Sequence, residues 1–221
     1  MEAFPNGTIH VINPNSSPHV TAAIEFAAAP FQAVGSKIVC AEMQDGPRGI
    51  VSESEIHDSV RPMLAYALKQ QESAVAFVIA CFADPGLHLL RERLDRPVFG
   101  IGECGALTAL TLGQRLGVIT LVETAIPRHL RWFGAMGIIG RLAGDRAMGL
   151  GVAELKNHET MFERMVEVGQ ALKRQDGADV VLLGGAAMSK QRAALEKELG
   201  IPVVDPNFAA LAMADAVSKR R

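Results

Sequence analysis

The chain carries three cysteines, Cys40, Cys81 and Cys104, and their neighbours give them unequal chemical prospects. Cys81 closes the apolar run AVAFVIA and is followed by FADPGL, with a helix expected to begin near Pro85. At such a strand end, backbone amides and the positive end of a helix can draw a thiol from its usual pKa of about 8.5 toward neutrality, which suits general acid or base work. The same position also suits a small buried core residue, and both readings stand on pattern alone. Cys104 in GECGALTAL starts a helix just after another strand, a suggestive place, although packing explains a small residue there; Cys40 ends KIVC and reads as core.

Other polar groups gather at predicted strand ends. Asn13 and Asn15 follow the first strand, where Asn15 or Ser16 can cap a helix or touch a ligand. Thr120, Glu123 and Thr124 end an equivalent strand further on. Asp84 is expected to hold its own loop through an Asx turn. Gly185, in LLGGAAM, cannot carry a proton, but its loop and the helix expected over residues 190–199 can offer backbone amides to a carboxylate or enolate. Arg48 reads as a solvated turn residue, and His57, His88, His129 and His158 read as surface positions on helices without ligand spacing.

The elements that must position these groups are short Val- and Ile-rich runs at residues 9–12, 37–40, 74–80, 98–101, 116–121, 179–183 and 201–204. Continuous apolar runs of this length suit buried parallel strands. Between them, residues 53–71 and 160–173 show helical apolar spacing. Alternating strands and helices predict an α/β fold whose ligand site lies beyond the carboxyl ends of the strands. The chain also repeats itself. AVAFVIACFADPGLHLLRERLDRPVFGIG and ADVVLLGGAAMSKQRAALEKELGIPVVDPN share the order strand, loop, helix, Pro, strand; Cys81 falls opposite Gly185, and Pro97 and Pro202 agree within one residue. IHVINPNSS and GVITLVETA open the two halves. The expectation is two pseudo-symmetric lobes, each a parallel sheet flanked by helices, with residues 1–100 plus 205–221 in the first, 101–204 in the second, and an active cleft between them.

Bulk properties narrow the partners. A net charge of −2 from 22 basic and 24 acidic residues leaves no footprint for nucleic acid or an acidic membrane. With aromatics at 5% of residues, stacking platforms are scarce, so a small-molecule partner read by backbone amides and small polar groups is expected. An odd number of cysteines without CxxC or Cys/His spacing argues against disulfides and a metal site. Residues 1–7 lack a basic segment followed by an apolar stretch, and the longest apolar run, at residues 74–83, is about half a membrane span. A cytoplasmic location is therefore expected, and a homo-oligomer is compatible with these properties.

Taken together, INPNSS (12–17), DGPRGIVSESEIHDSV (45–60), IACFADPGL (79–87), GIGE (100–103), GVITLVET (117–124), LLGGAAM (182–188) and PVVDP (202–206) resemble the Asp/Glu/hydantoin racemase superfamily, and within it the hydantoin and allantoin racemases. IACFADPGL is the most specific of these motifs. The resemblance implies a two-lobed fold and a reaction free of metal and cofactor, in which two cysteines, one per lobe, move a proton at an activated carbon. The first matches Cys81; Gly185 stands where the second belongs. It further implies substrate contacts from Asn15, Ser16, Phe82, Ala83, Asp84, Thr120, Gly185 and Ala186. A racemase of hydantoin, allantoin or amino-acid-like substrates is the leading expectation. The missing second cysteine keeps two alternatives open: a single-cysteine malonate-type decarboxylase, and a small-molecule binding protein without catalysis.

Overall fold

The computed structural model describes residues 7–219, so the extreme N-terminal segment considered above lies mostly outside the described residues. Eight strands form two four-stranded parallel sheets. The first holds β1 (Thr8–Asn13), β2 (Ile38–Glu42), β3 (Ala74–Ile79) and β4 (Val98–Gly100) in the order β2-β1-β3-β4; the second holds β5 (Leu116–Thr120), β6 (Leu142–Ala147), β7 (Val180–Leu183) and β8 (Val203–Val204) in the order β6-β5-β7-β8. The topology is the same in both.

The repeat read from sequence extends to individual hydrogen bonds. Ile12 pairs with Ile79 and Ile119 with Leu183. One residue beyond each pair, Ala80 N–H donates to Ile12 O at 2.8 Å and Gly184 N–H to Ile119 O at 2.7 Å. Phe77 N–H donates to Pro97 O and Val181 N–H to Pro202 O, both at 2.9 Å. Cys81 and Gly185 therefore each follow their sheet by two residues, as the internal alignment required.

Helices α1 (Pro18–Ala33), α2 (Glu53–Gln70) and α3 (Leu87–Arg93) join the strands of the first sheet; α5 (Ile126–Ala135), α6 (His158–Arg174) and α7 (Arg192–Leu199) join those of the second. The helix over 53–71 forms as expected, and Ser52 and Glu55 close a capping box at its start. The two remaining helices are exchanged between the sheets. α4 (Ile101–Leu112) continues β4 yet packs on β5, β7 and β8, while α8 (Pro206–Ser218) continues β8 and packs on β1, β3 and β4. Gly105 permits this: a Cβ there would come within 2.7 Å of Leu182 Cδ1 and 3.0 Å of Pro206 Cβ. Buried residues of both sheets, including Val11, Val78, Val118 and Val181, consequently belong to one hydrophobic core. No helix among the described residues is long and apolar enough to cross a membrane.

One strand has no counterpart among the apolar runs. β6 reads LAGDRA and is half-buried along its whole length, because it is the edge strand of its sheet. An edge strand needs no continuous apolar sequence.

Candidate functional site

The carboxyl ends of the central strands of both sheets open into one pocket, with about 610 Å³ of space including its mouth. Asn15 follows β1; Ala80, Cys81, Phe82 and Ala83 follow β3; Thr120 and Leu121 end β5; Gly184, Gly185 and Ala186 follow β7. Residues of α5 and the segments around Ile50 and Val152 complete the wall. Among these wall residues only Cys81, Arg128 and His129 carry ionisable side chains, so the site is an apolar recess with one permanent cation.

Cys81 is half-buried, and its thiol takes a hydrogen bond from the Ala83 amide. Burial pushes its pKa up to about 12; the Ala83 amide and the Arg128 charge pull downward, and Asp84 adds to the rise. This corrects the expectation of a thiolate favoured near neutrality. α3 starts at Leu87, close to the expected Pro85, but has only seven residues, and its positive end does not offset the loss of water around the sulfur. At neutral pH Cys81 is therefore a thiol, able to give a proton.

Asp84 also differs from expectation. It makes no Asx turn; its carboxyl leaves the pocket and accepts from Gly102 N–H at 2.9 Å and Glu103 N–H at 2.7 Å, capping α4. It does so with φ of 45°, a left-handed conformation that costs a non-glycine residue roughly 1 kcal/mol. Burial pushes its pKa up to about 8. The GIGE segment is thereby explained. A Cβ at Gly100 would come within 2.3 Å of the Asp84 carboxyl carbon, and one at Gly102 within 2.3 Å of Phe82 O. The other lobe ties down its loop in the same way from α8: Asn207 Nδ2 donates to Ala186 O at 2.8 Å and to Ser189 Oγ at 2.9 Å.

Gly184 and Gly185 are glycines for different reasons. A Cβ on Gly184 would sit 2.7 Å from Ile119 O, a backbone atom that cannot yield. Gly185 has φ of −173° and ψ of 146°, open to any residue, and a Cβ there would meet only the flexible Met188 Cε at 2.9 Å and the Leu121 methyls at 3.7 and 3.8 Å. The position has room for a side chain.

Asn15, Phe82, Ala83, Thr120, Gly185 and Ala186 all reach the pocket wall. Ser16 does not; its hydroxyl donates toward the carbonyls of Gly46 and Pro47 at 3.2 and 3.4 Å and holds the 45–49 loop. The cap of α1 is Ser17, whose own N–H is held by Asn15 Oδ1 at 3.0 Å. Cys104 is buried inside α4 away from the pocket, and Cys40 is half-buried on β2. Arg48 is exposed, as are His57, His88 and His158.

His129 is a correction. It is not a surface residue: it is buried on α5, forms part of the pocket wall, meets the Phe82 ring edge-on at 5.1 Å and pairs through Nδ1 with Asp145 Oδ2 at 2.7 Å. Asp145, from β6, has its pKa raised by burial, opposed by the His129 bond. Arg128 beside it has a buried Nε without a hydrogen-bond partner among the described residues. A signal for His129 existed in the sequence. Ala125, His129 and Phe133 recur every four residues along the buried side of this segment, and that spacing places the imidazole on the apolar face.

A family model described as Asp/Glu/Hydantoin racemase matches residues 9–214. Hydantoin racemases of Pseudomonas sp. (strain NS671) and Rhizobium meliloti are each 34% identical to the chain, over 95% of its length and 85% and 88% of theirs. Solved allantoin racemases from Klebsiella pneumoniae and Pseudomonas fluorescens superpose with TM-scores of 0.87 and 0.88 at 28% and 27% identity, covering 95% of this chain and 86% and 89% of those. The likeness thus runs through both sheets and through every loop that builds the pocket, and the chain belongs to the Asp/Glu/hydantoin racemase family.

Proposed function

We propose that the protein is a racemase that works without metal or cofactor, using Cys81 to move a proton at the activated carbon of a hydantoin, allantoin or related amino-acid derivative. The observation that carries this reading is the placement of Cys81: a thiol at the carboxyl end of β3, in the wall of the pocket shared by the two sheets, with the Ala83 amide on its sulfur. The hydrogen at the stereocentre of such a ring is acidified by the neighbouring carbonyl, so its removal needs a positioned base and a site that favours the resulting anion. Arg128 supplies positive charge to that anion in an otherwise apolar recess, where the interaction is stronger than in water. The lobe division at 1–100 plus 205–221 and 101–204 is supported by the exchange of α4 and α8 between the sheets.

Gly185 gives one observation to a rival. A decarboxylase acting on a malonate needs a single proton donor, and a thiol whose pKa lies near 12 is an acid. The test is to offer each enantiomer of 5-isopropylhydantoin and of allantoin, and separately a disubstituted malonate. Loss of optical rotation without loss of carbon, abolished in Cys81→Ala, supports the racemase; release of carbon dioxide from the malonate alone supports the decarboxylase.

A further inference from the structure

Cys81 serves one side of a substrate carbon, and inversion needs a second group on the other. The internally equivalent position is Gly185, which has none. Of the pocket wall's ionisable side chains, Arg128 is a fixed cation and cannot exchange protons at ordinary pH. That leaves His129. Its Nδ1 is taken by Asp145, no described group bonds its Nε2, and it shares the pocket wall with Cys81.

We propose that His129 is the second proton-transfer residue of the site and that Asp145 is its positioning residue, an inference that rests on the racemase reading above. With Nδ1 held by Asp145, the ring has Nε2 left as the atom that can exchange a proton with a bound substrate. In one direction Nε2 takes the proton from the stereocentre, and the C–H electron pair moves onto the adjacent carbonyl oxygen to give an enolate and an imidazolium. The Cys81 thiol then delivers its proton to the other side of the carbon as the electron pair returns from oxygen, leaving a thiolate. Asp145 balances the imidazolium; Arg128 and the Ala83 amide balance the thiolate. The opposite enantiomer runs the same steps backwards, thiolate as base and imidazolium as acid, and restores the starting forms.

The experiment follows both enantiomers of 5-isopropylhydantoin in deuterated water, reading inversion by optical rotation and deuterium uptake by mass. The unaltered chain inverts each enantiomer with uptake of solvent deuterium. His129→Gln lowers inversion by about 10² to 10⁴ while one enantiomer still exchanges its hydrogen with retention through Cys81; Cys81→Ala gives the reciprocal pattern with the other enantiomer. The surviving exchange reports that the pocket is intact. Asp145→Asn slows the same half-reaction as His129→Gln, by about tenfold or more, and carries the test if the histidine variant does not fold. Added imidazole raises inversion by His129→Ala, a rescue that a purely structural histidine does not show. Inversion by His129→Gln within about threefold of the unaltered rate, with Cys81→Ala inactive, overturns the inference and leaves the racemase reading standing; an unaltered chain that neither inverts nor exchanges either enantiomer overturns both.

Discussion

The state of the Cys81 thiol can be measured without any substrate. Burial holds its pKa at about 12, against about 8.5 for a free cysteine, so at pH 8 roughly one site in 10⁴ is thiolate where about a quarter of an exposed thiol would be. Since alkylation consumes the thiolate, Cys81 should react with iodoacetamide about 10³-fold more slowly than a cysteine in an unfolded peptide, and the rate should rise about tenfold per pH unit up to at least pH 10. Cys40 and Cys104 share a pKa near 12, so the modified residue must be identified by peptide mass. Arg128→Gln removes the one nearby cation that favours the thiolate and should slow Cys81 further while leaving Cys40 unchanged. A rate that levels off below pH 9 would refute the reasoning, since it would mean that amides and charge outweigh desolvation at this sulfur.

Three further outcomes follow from the geometry. Asp84→Ala strips the acceptor from two amides at the start of α4 and should cost about 2–5 kcal/mol in urea unfolding, with Asp84→Asn losing about half as much. Because burial raises the Asp84 pKa from 3.8 to about 8, the folded chain holds a proton that the unfolded chain has released, so this residue's contribution to stability falls as pH rises from about 4 to 8; the gap between the unaltered chain and Asp84→Asn should narrow over that range. Gly184→Ala should fail to fold or lose several kcal/mol through its clash with Ile119 O, while Gly185→Ala stays within about 1 kcal/mol, a contrast readable by thermal melting. Gly185→Cys placed in the His129→Gln background should raise inversion of 5-isopropylhydantoin by tenfold or more, because that position admits a side chain and restores a proton carrier.

Most of the framework was legible because its residues obey simple periods. β3, β5 and β7 are buried on both faces and therefore read as unbroken apolar runs, and the repeat around them aligns Cys81 with Gly185 in the sequence itself. β6 escaped because an edge strand with Asp145 and Arg146 at its centre has no such run, although β2 in the first half implied a matching strand in the second. That omission hid Asp145. Without its partner, His129 looked like one more surface histidine on a polar helix. The Cys81 pKa departs from expectation for a different reason: the sequence shows a helix following the cysteine but not that the helix is only seven residues long or that the sulfur sits against apolar walls. Asp84 could not be read at all from local sequence, since its acceptor role depends on α4 arriving from 18 and 19 residues downstream.

The central claim is that Cys81 moves a proton at a carbon stereocentre. Its most direct test is the optical rotation of enantiopure 5-isopropylhydantoin and allantoin incubated in deuterated water with the unaltered chain and with Cys81→Ala. The account predicts that rotation decays to zero with one solvent deuterium gained per inversion, and that Cys81→Ala slows this decay by at least 10². Unchanged decay in Cys81→Ala would contradict it.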